Sequence, residues 1–171
     1  LYNKEEDYLN YPLLANQMPE RIKGVWRLTD IVSSLIALLL GGIVIIALTY
    51  FNWFNTIWYW IAVIYFSIII VLTVFSLLLV PYRYKFHRFE INSTELAFQE
   101  GYIFRKITFV PINRIQHIET EQGPFLRRAQ LMEVVVTTAA TSHRISGLDI
   151  DDAQALRQQI VDFVKVAKED V

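Results

Sequence analysis

Residues 31–80 read IVSSLIALLLGGIVIIALTYFNWFNTIWYWIAVIYFSIIIVLTVFSLLLV and contain no Asp, Glu, Lys, Arg or His. All 33 acidic and basic residues therefore lie in the other 121, about 27% of them, an ordinary density for a water-facing surface. An uncharged run of 50 is far longer than any core helix of a soluble domain needs, so a wholly soluble protein is excluded.

The run breaks at Phe51–Thr56, where two Asn residues interrupt the Leu, Ile and Val pattern. Residues 31–50 and 57–80 are then two apolar helices of about 30 and 36 Å, each long enough to cross a bilayer, the second with some tilt. Arg21, Lys23 and Arg27 precede the pair, Arg83, Lys85 and Arg88 follow it, and the connecting loop has no base. By the positive-inside rule both termini are expected in the cytoplasm. Tyr50, Phe51, Trp53, Phe54, Trp58, Tyr59 and Trp60 would form an outer aromatic belt, and Trp26, Tyr82 and Tyr84 an inner one.

Thirty residues precede the first span, and Leu48-Thr49-Tyr50-Phe51 is not a small-residue cleavage site, so no cleaved signal peptide is expected there. Pro19–Asp30 reads as a short interfacial helix with Ile22, Val25 and Trp26 dipping into lipid, after an irregular and partly acidic tail. Three regions follow: residues 1–30 as tail and interfacial helix, 31–80 as a transmembrane hairpin, and 81–171 as a cytoplasmic domain. Ser33, Ala37 and Gly41 recur every four residues. Such a small-residue stripe admits a close neighbour, either this chain's own second helix, the favoured reading, or a helix from a partner. With no ionisable residue in either span, a proton relay or ion path within one copy is not expected.

Beyond Pro81 the hydrophobic period changes to alternation. Tyr84, Phe86, Phe89 and Ile91, with a phase slip, suggest a bulged strand; Asn92-Ser93-Thr94 is a turn and Leu96–Gln99 the next strand. Gly101 permits another turn before Ile103, Arg105, Ile107 and Phe109 alternate, and Pro111 ends that strand. Ile115–Gln122, Gln130–Thr138 with Val134 and Val136 on one face, and Ser142–Ile145 complete the short strands. Asp149, Asp151 and Asp152 fit an N-cap and first turn, and Ala153, Leu156, Ile160, Phe163, Val164 and Ala167 form one stripe of a closing helix.

Cysteine is absent, which excludes a disulfide framework, Cys-ligated metal and a thiol nucleophile. A formal net charge of −1, with twelve bases and twelve acids in residues 81–171, gives no basic excess for nucleic acid. His117, Glu119 and Glu121 share a strand face, yet His87 and His143 have no matching spacing, so a solvent-facing strand is preferred to a metal or acid/base cluster. Gly-rich phosphate loops, a G-x-S-x-G elbow and the kinase set are missing, and the Asp cluster lacks a calcium loop's glycine and terminal glutamate. No catalytic residue, metal or cofactor is expected.

Several fragments occur in a recognisable order: Pro111-Ile112, Arg114-Ile115-Gln116-His117-Ile118, Gln122-Gly123-Pro124, Leu126-Arg127-Arg128, Leu131, Val136, Thr138-Ala139, Ile145 and Gly147-Leu148. With Arg21 and Val25-Trp26-Arg27-Leu28 ahead of the hairpin, this pattern resembles the bacterial pleckstrin-homology-like membrane-flanking domain of the YdbS type, over roughly residues 19–165. The resemblance implies an α+β membrane protein: a two-helix transmembrane hairpin, then a pleckstrin-homology-like barrel or bent sheet with a C-terminal capping helix. It further implies a non-enzymatic subunit of the bacterial inner membrane. Its partner would be a larger membrane protein with repeated copies of the domain, or a second copy of itself, in envelope defence, bacteriocin self-protection or a transport-associated complex.

The alternative is an anionic-lipid sensor. The first strand turn, Asn92-Ser93-Thr94-Glu95, has no base for inositol phosphates. Arg83, Lys85 and Arg88 instead stand where an anionic leaflet would attract them by about 1 kcal/mol each. Arg114, Arg127 and Arg128 are candidates for contact with a partner's carboxylates or a headgroup, against pairing of Arg114 with Glu119 or Glu121 inside the sheet.

Overall fold

The computed structural model describes residues 13–101 and 106–169. Its elements run β1 (Asn16–Gln17), α1 (Ile22–Tyr50), α2 (Thr56–Phe86), β2 (Arg88–Ile91), β3 (Glu95–Glu100), β4 (Lys106–Pro111), a 3-10 turn (Ile112–Arg114), β5 (Ile115–Glu121), α3 (Pro124–Arg128), β6 (Leu131–Thr138), β7 (Ser142–Asp149) and α4 (Ile150–Glu169). They form two compact units, one of residues 23–81 and one that joins the segment up to Ile22 with the chain from Tyr82 onward. The expected tail of residues 1–12, and Ile103 and Arg105 of the expected alternation, lie outside the described residues.

In the hairpin, apolar side chains such as Leu39, Ile46, Val71 and Leu78 stand exposed along both helices. A core helix of a soluble protein would bury them, so these surfaces require lipid. The two loop Asn residues each close a helix. Asn52 takes φ 55°, the left-handed conformation that ends α1, while Trp53 N–H returns to Leu48 O at 2.9 Å. Asn55 Oδ1 accepts from the N–H groups of Ile57 and Trp58 at 3.0 and 3.3 Å, capping α2.

Both helices extend beyond the ends of the uncharged run. Of Pro19–Asp30, expected as a separate interfacial helix, residues 22–30 are helical and continue without a break into α1. At the other end α2 passes through Pro81 and reaches Phe86, so Tyr84 and Phe86 are helical, not part of a strand. Tyr82 and Phe86, four residues apart, have ring centroids 4.8 Å apart, a pairing that a helix makes and a strand does not. The phase slip before Phe89 is thus the change from helix to strand.

The other unit holds two antiparallel sheets, of order β1-β2-β3-β4 and β5-β6-β7. Leu96 and Phe98 of one and Val134, Val136 and Ile145 of the other are buried, and the Phe98 ring stacks on His143 of β7 at 5.2 Å. Val135 is buried as well, so β6 is covered on both faces where a single buried face was expected. Asn92 Oδ1 accepts from Thr94 and Glu95 N–H, fixing the β2-β3 turn. α4 contributes Ala153, Leu156 and Ile160 to the core, while Phe163, Val164 and Ala167 are only half-buried. β7 runs four residues past the expected Ile145. Asp149 ends β7 opposite Leu131 and stands immediately before α4, as expected of a cap position, but its carboxylate pairs with Arg21; Asp151 and Asp152 occupy the first turn of α4.

β1 was not anticipated, because two residues carry no period. It pairs with β2, Asn16 opposite Phe89 and Gln17 opposite Arg88. Leu14, Met18 and Ile22, spaced by four, are all buried in the domain unit. The domain's first strand thus precedes the hairpin, and the hairpin is an insertion between β1 and β2.

Candidate interaction site

The bases singled out by sequence do not form one patch. Arg88 is consumed inside the domain: its guanidinium donates to Leu14 O at 3.0 Å, Lys85 O at 3.2 Å and Gln17 Oε1 at 3.4 Å. Lys85 Nζ lies 5.8 Å from the centroid of the Phe86 ring. Arg114 follows Pro111 and Ile112 at the start of β5, whereas Arg127 and Arg128 sit in α3, beyond its far end. Seven residues of strand, roughly 20 Å, separate them. All three are exposed and have no ion-pair partner among the described residues. Glu119 and Glu121, offered as partners for Arg114, are taken elsewhere.

His117 Nε2 stands 3.2 Å from Glu119 Oε1, and Arg144 Nη1 stands 3.4 Å from Glu121 Oε2 and 3.6 Å from Glu133 Oε1. His117 and Glu119 thereby face one another along β5, and Glu121 reaches across to Arg144 of β7. No group of three His, Asp or Glu side chains converges among the described residues.

Residues of the recognised pattern turn out to hold the domain together. Arg21, one residue before α1, pairs with the carboxylate of Asp149 and donates to Ala129 O at 3.3 Å, tying the end of α3 to the end of β7. Gln122 Nε2 donates to Leu131 O at 2.8 Å, Gly123 precedes α3, and Pro124 opens it. Gly147 has φ +88°, and a Cβ placed on it would lie 2.5 Å from Ile22 Cδ1.

The surface left open is a groove between β5 and α4. β5 is the outer strand of its sheet, with β6 on one side only. Along its other side run two adjoining clefts. Ile118 and Thr120 face Gln154, Arg157 and Gln158 in the first, and Ile115 and His117 face Val161, Val164 and Lys165 in the second. A strand edge of this kind offers main-chain N–H and C=O groups to an added strand, while the half-buried Val161 and Val164 offer apolar contact. Sequence named the strand but could not show it as an edge, because edge position depends on the order of strands in space.

The hairpin has polar chemistry that the uncharged run concealed. Because α1 begins at Ile22, Asp30 lies within the helix, and its Oδ2 accepts from Ser76 Oγ of α2 at 2.6 Å. One turn on, Thr73 Oγ1 meets Ser34 Oγ at 2.9 Å, and then Tyr65 O–H donates to Ala37 O at 2.8 Å. A Cβ on Gly41 would run into the Tyr65 ring. Ala37 and Gly41 thus pack against this chain's own second helix, and Ser33, donating to Asp30 O at 3.0 Å, stays exposed.

His87 occupies the step from α2 to β2. Burial holds its imidazole below the ordinary 6.5, Glu100 opposes the shift and Arg83 adds to it. The folded state therefore resists a proton that the unfolded chain accepts, and stability is intact above pH 6.5 and falls as pH drops below it. Thermal unfolding in mild detergent at pH 7.5 and 5.5 checks this. The drop in midpoint should be smaller in His87→Gln, and an equal drop would assign the pH sensitivity to other groups.

Two antiparallel sheets closed by one helix, with a lipid-requiring hairpin inserted in the chain after the first strand, define a membrane protein with a pleckstrin-homology-like domain. The Bacterial PH domain family matches residues 18–163, and the chain belongs to that family. It is 33% identical over 154 residues to the UPF0699 transmembrane protein YdbS of Bacillus subtilis, covering 90% of this chain and 94% of that protein. No solved structure matches it at a significant level.

Proposed function

We propose that the protein is a non-enzymatic subunit of the bacterial cell membrane whose domain docks a partner membrane protein through the groove between β5 and α4. The partner is a larger protein carrying repeated domains of the same kind, and the setting is cell-envelope protection or a transport-associated complex. The observation that carries this reading is the open edge of β5 beside the Val161 and Val164 surface of α4. A partner segment in extended conformation would extend the β5-β6-β7 sheet by one strand and gain main-chain hydrogen bonds there. Arg157, exposed and without an ion-pair partner among the described residues, would take a carboxylate from the segment.

Six bases flank the hairpin and none lies in its loop, which supports a cytoplasmic domain with both termini on that side. The test is co-purification with the larger relative from the native membrane in mild detergent, comparing wild type with Gln158→Trp, which fills the groove from α4. Wild type should retain the relative, and the variant, folded to the same melting midpoint, should lose at least ten-fold. Equal retention by both would remove the groove from the interaction. Failure of the wild type to co-purify would refute the proposed partner.

A further inference from the structure

The seam of the hairpin holds an unmatched pair of charges. Asp30 gives Oδ2 to Ser76, and its Oδ1 has no partner among the described residues. It opens on a cleft lined by Ser33, Ser34, Ala37, Thr73 and Ser76. Arg27, one turn earlier on the same helix, is exposed and also lacks a partner. At 100° per residue Arg27 and Asp30 lie about 60° apart around α1, so Arg27 stands one turn before the cleft, next to the end that Asp30 lines.

They do not satisfy one another within the chain. Helical side chains lean toward the N-terminus, which carries the Arg27 guanidinium away from Asp30, and the order base-then-acid is the less favourable one along a helix. Polar side chains on a membrane helix are a recurring means of holding helices together, and a carboxylate there calls for a cation.

We propose that the occupant of this cleft is a second copy of the same chain. Two copies related by a two-fold axis along the membrane normal place Arg27 of each against Asp30 of the other, so one acid–base pair is made twice. This is the self-complementarity that a two-fold interface requires, where residue i meets j and j meets i. The hydroxyls of Ser33 and Ser34 add acceptors around each guanidinium, and the exposed Ser33 comes close to its own counterpart. The proposed interface is made by residues of α1 and uses none of the residues of the groove between β5 and α4.

The chain has no cysteine, so a single introduced one reports on its own position. In full-length protein oxidised in native membranes, Ser33→Cys should form a disulfide-linked homodimer. Leu35→Cys, about 200° on from Ser33 and so about 160° away from it around α1, should not. In the Ser33→Cys background, Arg27→Asp or Asp30→Arg should each lower the crosslinked fraction at least ten-fold, and the double exchange should restore it to within two-fold of the starting level. The double exchange keeps the charge flanking the hairpin unchanged and so decides the matter if a single variant inserts poorly. Absence of the Ser33→Cys dimer, equal crosslinking at position 35, or a double exchange that inserts normally without recovery would each overturn the proposal.

Discussion

Gly147→Ala is expected to destabilise the domain by about 2–5 kcal/mol, the sum of placing a side chain at a left-handed backbone position and of overpacking a filled core. Gly147 has φ +88°, and its absent Cβ would fall 2.5, 2.6 and 2.9 Å from three carbons of Ile22. Ile22 is 1% exposed and has no direction in which to retreat. For a domain of this size the loss corresponds to a fall in melting midpoint on the order of 10–20 °C or more. The backbone and steric parts can be separated. Ile22→Ala alone should cost about 2–5 kcal/mol as a large-to-small change in a core. In the pair Ile22→Ala/Gly147→Ala the new methyl group enters the space vacated, so the double variant should be markedly more stable than the sum of the two losses. Strict additivity in thermal or denaturant unfolding would show that the contact does not set the requirement for glycine.

That contact also shows where reading the sequence reaches its limit. The hairpin was legible because fifty residues without charge have one physical solution, and its turn because Asn52 and Asn55 each close a helix by local hydrogen bonding. Most strands and the closing helix were legible from period and turn chemistry, which are also local. What escaped was non-local. Gly147 belonged to the recognised pattern without a role, since its partner Ile22 lies 125 residues away in a segment that read as membrane-interfacial. Arg21 read as a topology signal, and it pairs with Asp149 and so occupies the residue that read as a helix cap. Asp30 stood one residue outside the uncharged run, and only the continuity of α1 places it in a helix facing Ser76. The three acids and bases of β5 did read correctly as solvent-facing, because alternation on one strand is itself local.

The same non-local pairings lead to the second large effect. A fragment beginning at residue 81, where the apolar run ends, is expected not to fold, although it contains every strand but the shortest. It lacks Leu14, Met18 and Ile22, all buried, and burial of a large aliphatic side chain is worth about 1.5–3 kcal/mol. Together they amount to roughly 5–9 kcal/mol, comparable with the whole stability of an ordinary domain. Polar groups are stranded as well. Buried Gln99 loses the N–H of Leu14 at 3.2 Å, Tyr84 O–H loses Met18 O at 2.7 Å, and Arg88 loses Leu14 O at 3.0 Å. A chain in which residues 13–22 run through a flexible Gly/Ser linker directly into residue 82 keeps all of these contacts and omits only the hairpin. Near-ultraviolet circular dichroism and amide dispersion should show a packed domain in the linked chain and a largely unfolded one in the fragment. Equal packing in both would mean that the segment before the hairpin merely lies on the domain, and that the hairpin is appended to the fold rather than inserted into it.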